Sequence, residues 1–373
     1  MKKFNDLTKE DVKQRGTLTF TGRVEEIKQT SGPTIFTMYD GTSTIKATGF
    51  IKPGMRAFPE LESGSYTKFE ATVEQRDNAI ELEIKSTQKM NEEESKEFGI
   101  KLEEIENEKA KAEDGKFLVE SDVIQKLKPR MQKVAQVIRK AIFSNRPILI
   151  KHHHDCDGYS SGIALERAIL PLIQKQHGAG MAEKMYFKRT PSKAPFYEYL
   201  DAVKDMSFFI DDVRNFGQKP PLVVLTDNGS TEEDLLSIRS VKIHGADVVV
   251  VDHHSPGELK DGRAVVDDYL EAHVNPYLEG FDSTFCAGIL CNELARLINK
   301  DVNGIDHIPG IAATADRAQG HEAIDKYKEI TRNVGFSDED IDAIVDLVDF
   351  QSYYIKFMES RGLVNSIFGI ENF

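Results

Sequence analysis

A short polar stretch near residue 150 joins histidine and carboxylate side chains directly to an apolar run. The run over 147–150 is followed by the sequence KHHHDCDG over 151–158. Alternate side chains of a strand share one face, so His153, Asp155 and Asp157 could point the same way as the strand ends. Imidazole and carboxylate groups are ligands that suit Mn²⁺, Mg²⁺ or Zn²⁺. The stretch therefore predicts a metal site.

Further carboxylates and histidines follow other apolar segments. They are Asp227 after the run 222–226, Asp252-His253-His254 after the run 246–251, and Asp316 at the end of 312–316. The Val/Ile/Leu runs alternate with helical segments, which indicates a parallel sheet covered by helices on both faces. Ligands of such sheets lie beyond the carboxyl ends of the strands, so these groups can converge on one pocket.

At least four carboxylates in one pocket repel one another unless protons or cations neutralise them. Two divalent ions about 4 Å apart are a common solution, and they suit displacement at phosphorus. Each signal also has a simpler explanation: a solvated loop for 153–157, and a turn or helix cap for Asp227. The joint placement of the groups at strand ends favours the metal centre.

Helical segments surround these strands. We expect helices over 117–143, capped by Ser121, and over 160–174, and we expect Pro129 and Pro171 to kink, divide or shorten them. The sequence Ser230–Glu233 predicts the start of another helix. The C-terminal part is predicted to be mostly helical, with helices over 283–299, 305–316 and 338–360.

The first ninety residues have a different pattern, rich in β-formers. Five strands are predicted around 17–24, 34–39, 44–50, 68–74 and 80–86. Asp40-Gly41 is a strong hairpin signal between the second and third of them. Five strands in so short a segment predict a small all-β barrel. The strongly acidic stretch that follows, 91–116, predicts a solvated helix or a stiff linker.

The order of features in the barrel resembles an OB-fold of the tRNA-anticodon-binding type, over about 15–90. The features are Gly22-Arg23-Val24, the hairpin 39–42, and Gly64-Ser65-Tyr66 before the fourth strand. Such folds stack the bases of single strands on aromatic side chains beside a positive groove. The candidate contacts are Arg23, Phe36, Tyr39, Lys46 and Phe50, with Lys52 and Tyr66 as further possibilities. The alternative is that most of these aromatics form the barrel core.

The motifs of the remaining chain resemble those of the DHH phosphoesterase superfamily, and within it the archaeal RecJ-like nucleases. They are 153–158, Asp227–Ser230, Asp252-His253-His254 and Thr314–Asp316, with Asn275-Pro276 between the last two. The resemblance implies two divalent ions, Mn²⁺ first and Mg²⁺ as the alternative, held by His153, Asp155, Asp157, Asp227, His253 and Asp316. It also implies that Asp227 bridges the ions. His254 would face the scissile phosphate, and Asp252 would support it or act as a further ligand. His152 and His154 are not expected to be ligands.

The composition sets limits on these interpretations. A net charge of −14 argues against a broadly basic nucleic-acid surface, although it permits a local groove. No apolar run has the length of a membrane span, and the polar N-terminus is not a signal peptide. Three cysteines form no disulfide framework, so a cytoplasmic location is the simple expectation.

Together these features predict an α/β protein: an OB-fold domain over 15–90, an acidic helical linker over 91–116 and a DHH domain over 117–373. The expected function is a two-metal exonuclease for single-stranded DNA or RNA, active in DNA repair, with replication or repair proteins as further partners. The alternatives are a phosphodiesterase for short oligonucleotides or cyclic dinucleotides, and a non-catalytic replication scaffold. The glycine-rich signature of a DHHA1 domain is not found before Phe373. The chain is therefore expected to be a fragment, or another element must hold the substrate.

Overall fold

The N-terminal part of the computed structural model is a closed barrel of five strands. The structure describes residues 2–13, 16–76, 79–178, 180, 182–354 and 357–370, so the predicted domain limits at 15 and 373 lie outside the described residues. A 3₁₀ turn (Phe4–Asp6) and a short helix α1 (Lys9–Lys13) precede the strands β1 (Leu18–Gln29), β2 (Thr34–Tyr39), β3 (Thr44–Gly49), β4 (Tyr66–Arg76) and β5 (Ala79–Lys89). They close in the order β1-β2-β3-β5-β4, with only the β3–β5 pair parallel. The predicted small barrel is confirmed.

The acidic stretch after the barrel forms helix α2 (Glu92–Ala110). Asn91 and Glu94 cap its N-terminus reciprocally in a capping box. One face of the helix is buried, and the Lys109 ammonium donates to the carbonyl oxygen of Gly41 at 2.8 Å. The prediction of a helix is confirmed, but its description as solvated is wrong for this face, which packs against the barrel and the following helix.

The second part of the chain is built around a five-stranded parallel sheet. Its strands are β6 (Ile148–His153), β7 (Phe187–Ser192), β8 (Leu222–Thr226), β9 (Asp247–Val251) and β10 (Ala272–Val274). They lie in the order β10-β9-β8-β6-β7, and every neighbouring pair is parallel. The prediction of a parallel sheet covered by helices is confirmed.

Helices surround this sheet. They are α3 (Asp122–Phe143), α4 (Cys156–His177), α5 (Tyr199–Phe216), α6 (Leu235–Ile243), α7 (Ala287–Ile298), α8 (Ile308–Ala315), α9 (Glu322–Val334), α10 (Asp338–Tyr354) and α11 (Phe357–Ile367). Short turns cover Ala182–Tyr186 (π-helical) and Glu232–Asp234, Asp267–Tyr269 and Pro276–Glu279 (3₁₀). No helix among the described residues has the length and apolar character needed to cross a membrane.

Alternate residues of the central strands enter two different cores. Ile148 and Ile150 of β6 pack in the larger core with α3, α4 and α7, whereas Leu149 faces the smaller core with α5 and α6. The residues of β8 and β9 alternate in the same way. Because both faces are buried, these strands read as continuous apolar runs.

Several predicted helix boundaries are wrong. Pro129 and Pro171 lie inside continuous helices, α3 and α4, and neither divides or shortens its helix. Helix α4 begins at Cys156 instead of residue 160, because the preceding Asp155 caps it. The helix predicted over 338–360 is found as α10 and α11, and residues 355–356 lie outside the described part.

Hydrogen bonds from several barrel side chains join the barrel to the second part of the chain. The Tyr39 hydroxyl donates to the carbonyl oxygen of Phe143 at 3.1 Å, and the Thr44 hydroxyl donates to that of Gln176 at 2.9 Å. In the opposite direction, the hydroxyl of Tyr186 in the second part of the chain donates to the carboxylate of Glu26 in the barrel at 2.6 Å. The barrel is therefore attached by specific polar contacts along one face.

Candidate metal centre

The first group of candidate ligands lies where β6 passes into α4. The Asp155 carboxylate caps α4 by accepting from the Gly158 amide at 2.9 Å, and its other oxygen lies 2.7 Å from His153 Nδ1. A Cβ at Gly158 would lie only 2.1 Å from the carbonyl oxygen of His153, so the tight turn requires glycine. The turn brings His153, Asp155 and Asp157 to the carboxyl edge of the sheet.

The next strand in the sheet, β8, ends directly at Asp227. The backbone of Asp227 has a φ of 58°, a left-handed conformation that aspartate and asparagine tolerate better than most residues. The side chain is almost fully buried, and one of its oxygens, Oδ2, has no hydrogen-bond partner among the described residues. His153 Nδ1 lies 3.6 Å from this oxygen.

Strand β9 ends at the sequence Asp252-His253-His254. His253 Nδ1 lies 3.1 Å from the carbonyl oxygen of Ser283, which leaves Nε2 facing the carboxylates. This Nε2 atom lies 3.3 Å from Asp227, 3.3 Å from Asp316 and 3.8 Å from Asp157. Asp316 reaches the same place from the C-terminal end of α8.

The Asp252 carboxylate contacts the two residues that follow it in the chain. Its Oδ1 accepts from the amides of His253 and His254 and lies 2.8 Å from His254 Nδ1. Asp252 therefore orients His254 and fixes the conformation of this loop.

The structure brings all six predicted ligands together. Three groups have ligand atoms within 4.8 Å of one another: His153–Asp155–Asp227, Asp157–His253–Asp316 and Asp227–His253–His254. Asp227 and His253 each belong to two of these groups, so the three groups form one connected centre. Asp252 is in none of the groups found among the described residues.

The carboxylates of the centre repel one another. Burial and the neighbouring Asp227 charge raise the pKa of Asp157 to about 7, and burial together with Asp157 raises that of Asp316 to about 7. Burial and Asp155 raise the pKa of Asp227. Burial opposes ionisation of Asp155 too, but the contact with His153 outweighs it and lowers its pKa below the ordinary value. Cations would relieve this crowding, and the unpartnered oxygen of Asp227 is available to a metal ion.

The histidines partly compensate for these charges. Burial disfavours their charged forms, but Asp155 and Asp227 raise the pKa of His153 to about 10, and Asp252 raises that of His254 to about 9. Neutral imidazole is the form that binds a metal, so an ion would displace the proton of a ligating histidine. Oxygen and imidazole groups at these distances therefore fit hard or borderline divalent ions.

Comparisons with known proteins agree with this geometry. Residues 147–314 match the DHH family, N-terminal domain, and residues 18–90 match an OB-fold nucleic acid binding domain. The chain carries a DHH domain behind an OB-fold domain.

Two relatives are more than 40% identical to the chain over the aligned residues. An uncharacterized protein of Methanocaldococcus jannaschii is 45% identical over 359 residues, which cover 93% of this chain and 47% of that protein. The chain thus spans about half the length of this curated relative. A solved DHH domain, described as a member of the s1p family of ribosomal proteins, is 41% identical. The match covers 76% of this chain and 65% of the solved DHH domain, with a TM-score of 0.72.

A more distant similarity is to exonuclease RecJ bound to manganese. It has 12% identity, covers 68% of this chain and 65% of that chain, and has a TM-score of 0.45. This likeness is too weak to carry an argument about function.

A series of hydrogen-bonded polar side chains supports the loop that carries His254. Asp267 Oδ1 lies 2.7 Å from His273 Nδ1, and His273 Nε2 lies 2.9 Å from the Ser230 hydroxyl. The Asn275 amide donates to the Ser230 hydroxyl at 3.0 Å and to the carbonyl oxygen of His254 at 2.9 Å. The Asp–His–Ser order is that of a hydrolase triad, but Ser230 is fully buried and cannot meet a substrate. The group is instead a scaffold for the loop that bears His254.

Helix α7 of the DHH domain holds Asp157. The amides of Ala287 and Gly288 at the helix N-terminus donate to its two oxygens at 2.9 and 2.8 Å. A Cβ at Gly288 would lie 2.8 Å from the carboxylate, so glycine allows this close approach. The sequence did not predict these contacts, although Ser230 and Asn275 both belong to motifs named above; no signal pointed to Ala287 and Gly288.

The two histidines beside His153 have separate surroundings. His152 is fully buried, with its ring 4.9 Å from that of Tyr159, and a Cβ at Gly162 would collide with it. His154 is partly exposed and belongs to none of the ligand groups found in the described chain.

The nucleic-acid contacts predicted in the OB-fold domain need correction. Phe36 and Tyr39 are fully buried, Phe36 in the barrel core and Tyr39 against the DHH domain, so neither can stack on a base. Arg23 is held by Glu25 at 2.5 Å and Glu106 at 2.8 Å. These three residues are therefore structural.

The other two predicted contacts remain accessible. Phe50 is 57% exposed, and Lys46 is partly exposed although it pairs with Glu81 at 2.7 Å. Lys46 and Phe50 are thus available to a ligand.

Proposed function

We propose that the chain is a metal-dependent exonuclease that hydrolyses phosphodiester bonds of single-stranded DNA or RNA. The observation that carries the proposal is the cluster of six oxygen and imidazole ligands at the carboxyl edge of the DHH sheet. Asp227 and His253 link the ligand groups of this cluster. Such a cluster of mutually repelling carboxylates is costly in a folded protein unless cations compensate it.

The ligand groups divide between two ions, for which Mn²⁺ is our first choice and Mg²⁺ the alternative. The group His153–Asp155–Asp227 would hold one ion, and the group Asp157–His253–Asp316 would hold the other. We further propose that Asp227 would serve both ions. When bound, two such ions stabilise the charge that develops at phosphorus during displacement.

His254 is placed to bind the phosphate. Its Nδ1 is held by Asp252, its side chain is 37% exposed, and its raised pKa keeps a proton on the ring near neutral pH. Nε2 is therefore the atom that would donate to a phosphate oxygen. Asp252 would be a positioning residue that fixes the ring and favours its charged form.

The OB-fold domain supports a strand as the substrate, because such barrels bind single-stranded nucleic acid. We extend the proposal to a role in DNA repair, with replication or repair proteins as partners. A cytoplasmic location accords with the three free, buried cysteines, Cys156, Cys286 and Cys291.

Digestion of end-labelled single strands of several lengths, DNA and RNA, tests this function. We expect labelled mononucleotides to be released with Mn²⁺ and no cleavage with EDTA. Asp155→Asn should abolish the activity, whereas the exposed Asp261→Asn should retain it.

The other outcomes are equally informative. Cleavage that persists in EDTA contradicts a metal centre. Activity confined to dinucleotides or cyclic dinucleotides would indicate a phosphodiesterase for short substrates. Binding of Mn²⁺ and of strands without any cleavage would indicate a scaffold.

A further inference from the structure

A cavity of about 360 Å³ lies between the two domains, away from the candidate metal centre. One wall is the outer face of β1, β2 and β3, with Lys28, Ile35 and Lys46. The opposite wall belongs to the DHH domain and includes Lys184 and Phe216. Its volume is within the range of small-ligand sites.

The charges around the cavity are mainly positive. Lys28 and Lys184 are exposed, and neither has an ion-pair contact within 4 Å among the described residues, although the Asp212 carboxylate interacts electrostatically with Lys28. The Glu26 carboxylate also lines the cavity, but it is buried and accepts hydrogen bonds from Tyr186 and from Gln218. Lys46, which also lines the cavity, pairs with Glu81, so the rim offers two exposed ammonium groups that have no ion-pair contact in the described chain. Such a rim attracts phosphate groups.

Apolar and aromatic groups form the interior. Ile35 lies on the barrel side, and the Phe216 ring lies on the other, with the Lys28 ammonium 5.2 Å from its centre. The Tyr186 ring stacks on His177, with ring centres 3.6 Å apart and planes within 10°. Aromatic walls beside ammonium groups are the combination that binds a nucleobase with its phosphate.

Helix α4 fixes the separation of this cavity from the metal centre. It begins at Cys156, between two candidate metal ligands, and ends at His177, which lines the cavity. Its 22 residues span about 33 Å at 1.5 Å per residue. This span corresponds to about ten nucleotides at the stacked spacing of about 3.4 Å, and to fewer in a stretched strand.

We propose that this cavity is a second subsite, which binds one nucleotide unit of a strand whose end lies in the metal centre. The inference rests on the proposed function and deepens it. Strands long enough to reach both places gain affinity, whereas a dinucleotide occupies the metal centre alone. The domain junction would then select substrates by length.

The first measurement is strand binding by the full chain in EDTA. The fluorescence anisotropy of a labelled strand of about twenty nucleotides reports the binding. Replacing both Lys28 and Lys184 by Glu should weaken binding about tenfold or more, because each loses a phosphate contact and gains a repulsion. Phe216→Ala should weaken it to a similar degree by removing a stacking wall. Lys89→Glu, an exposed charge reversal on β5 outside the cavity lining, should change binding less than twofold.

The second measurement is hydrolysis with Mn²⁺. The double variant should lose about tenfold in kcat/KM on the long strand and retain the wild-type rate on a dinucleotide. Equal effects on both lengths, or unchanged binding of the long strand, would overturn the inference and leave the cavity as a void at the junction. If the double variant melts early, Lys184→Glu alone replaces it, because that exposed side chain makes no ion pair in the described chain.

The two proposals fail in different ways. A wild-type chain that cleaves nothing, but binds the long strand in EDTA and loses that binding in the variants, contradicts the exonuclease and supports the subsite. A chain that cleaves long and short strands with the same dependence on the three cavity residues contradicts the subsite alone.

Discussion

Two regions of the molecule bury charged side chains and compensate for them in opposite ways. Where α2 meets the OB-fold domain, the Arg23 guanidinium lies between the carboxylates of Glu25 and Glu106, so each buried charge faces an opposite one. At the carboxyl edge of the DHH sheet, carboxylates face one another instead. Burial and the Asp227 charge raise the pKa of Asp157, and burial and the Asp155 charge raise the pKa of Asp227.

This difference separates a charge that holds the fold from one that serves a ligand. Buried charges are tolerated when a partner and hydrogen bonds offset the desolvation penalty. The Arg23 cluster meets that condition within the chain. The cluster around Asp227 does not, and it leaves one buried carboxylate oxygen without a partner among the described residues. Cations from solution can supply the missing compensation.

The largest expected effect is the loss of hydrolysis in Asp227→Asn. This residue belongs to two of the three ligand groups, and removing partners of metal ligands alone costs 10–100-fold. We therefore expect a decrease of roughly 1,000-fold or more in the rate of strand cleavage with Mn²⁺. Asparagine also tolerates the left-handed backbone at this position, so the fold should persist.

Asp261→Asn is the matched control for this variant. Asp261 has a φ of 53° and an exposed side chain, so the same chemical change occurs on the same backbone conformation, away from the ligand groups. Wild-type cleavage is expected from it. If Asp227→Asn kept more than a tenth of the wild-type rate, the assignment of Asp227 as the shared ligand would be wrong.

The compensated cluster is tested by Arg23→Met. The change leaves the buried Glu106 without its cation and Glu25 with Lys219 alone, at 3.6 Å. Breaking a buried pair costs about 3 kcal/mol or more. Urea unfolding should show this loss in the free energy of unfolding. Arg76→Met removes an exposed arginine that pairs with Glu74 at 2.9 Å, and it should cost less than about 1 kcal/mol. Equal losses in the two variants would contradict the distinction between buried and exposed pairs.

Metal binding should stabilise the uncompensated cluster. Free Mn²⁺ at 100 times its dissociation constant should raise the free energy of unfolding by about 2.7 kcal/mol, since the ion binds the folded chain. Asp227→Asn should remove this gain. Without metal, the same variant should be at least as stable as the wild type, because it eliminates a repulsive charge. A thermal melt with and without Mn²⁺ measures both effects, and an equal metal response in the two proteins would contradict them.

The contrast also explains what could be predicted from the sequence. The ends of parallel strands meet at one edge, so the motifs at 153, 227 and 253 had to converge once the runs before them were identified as strands. Asp316 was assigned from its motif, since it arrives on a helix and not on a strand.

Contacts between distant segments could not be predicted in this way. The hydrogen bonds of Ser230 with His273, and of Asp157 with the start of α7, depend on loop conformations that no periodicity reports. In the barrel, β1 has a register shift between Val24 and Glu26, and the DHH domain docks against one face; the alternation of residues predicts neither feature. Tyr39 illustrates this limit, because its partner Phe143 lies more than a hundred residues away.

The smallest expected effect concerns acid stability at the domain junction. His177 stacks on Tyr186, its Nδ1 lies 3.0 Å from the Thr44 hydroxyl, and burial lowers its pKa to about 3. The unfolded chain, with an ordinary histidine pKa of about 6.5, then binds a proton that the folded chain refuses. The contribution of the uncharged His177 to the free energy of unfolding is therefore fully present above pH 6.5. It is lost as the pH falls toward 3, and the loss is about 2 kcal/mol at pH 5.

Replacing His177 by Gln should remove this dependence, because glutamine keeps a polar partner for Thr44 and does not titrate. The difference in free energy of unfolding between pH 7 and pH 5, measured in urea without metal, should therefore be about 2 kcal/mol smaller in the variant. His244→Gln, at an exposed position after α6, should retain the wild-type difference. If both variants behaved alike, the junction would not hold an uncharged histidine.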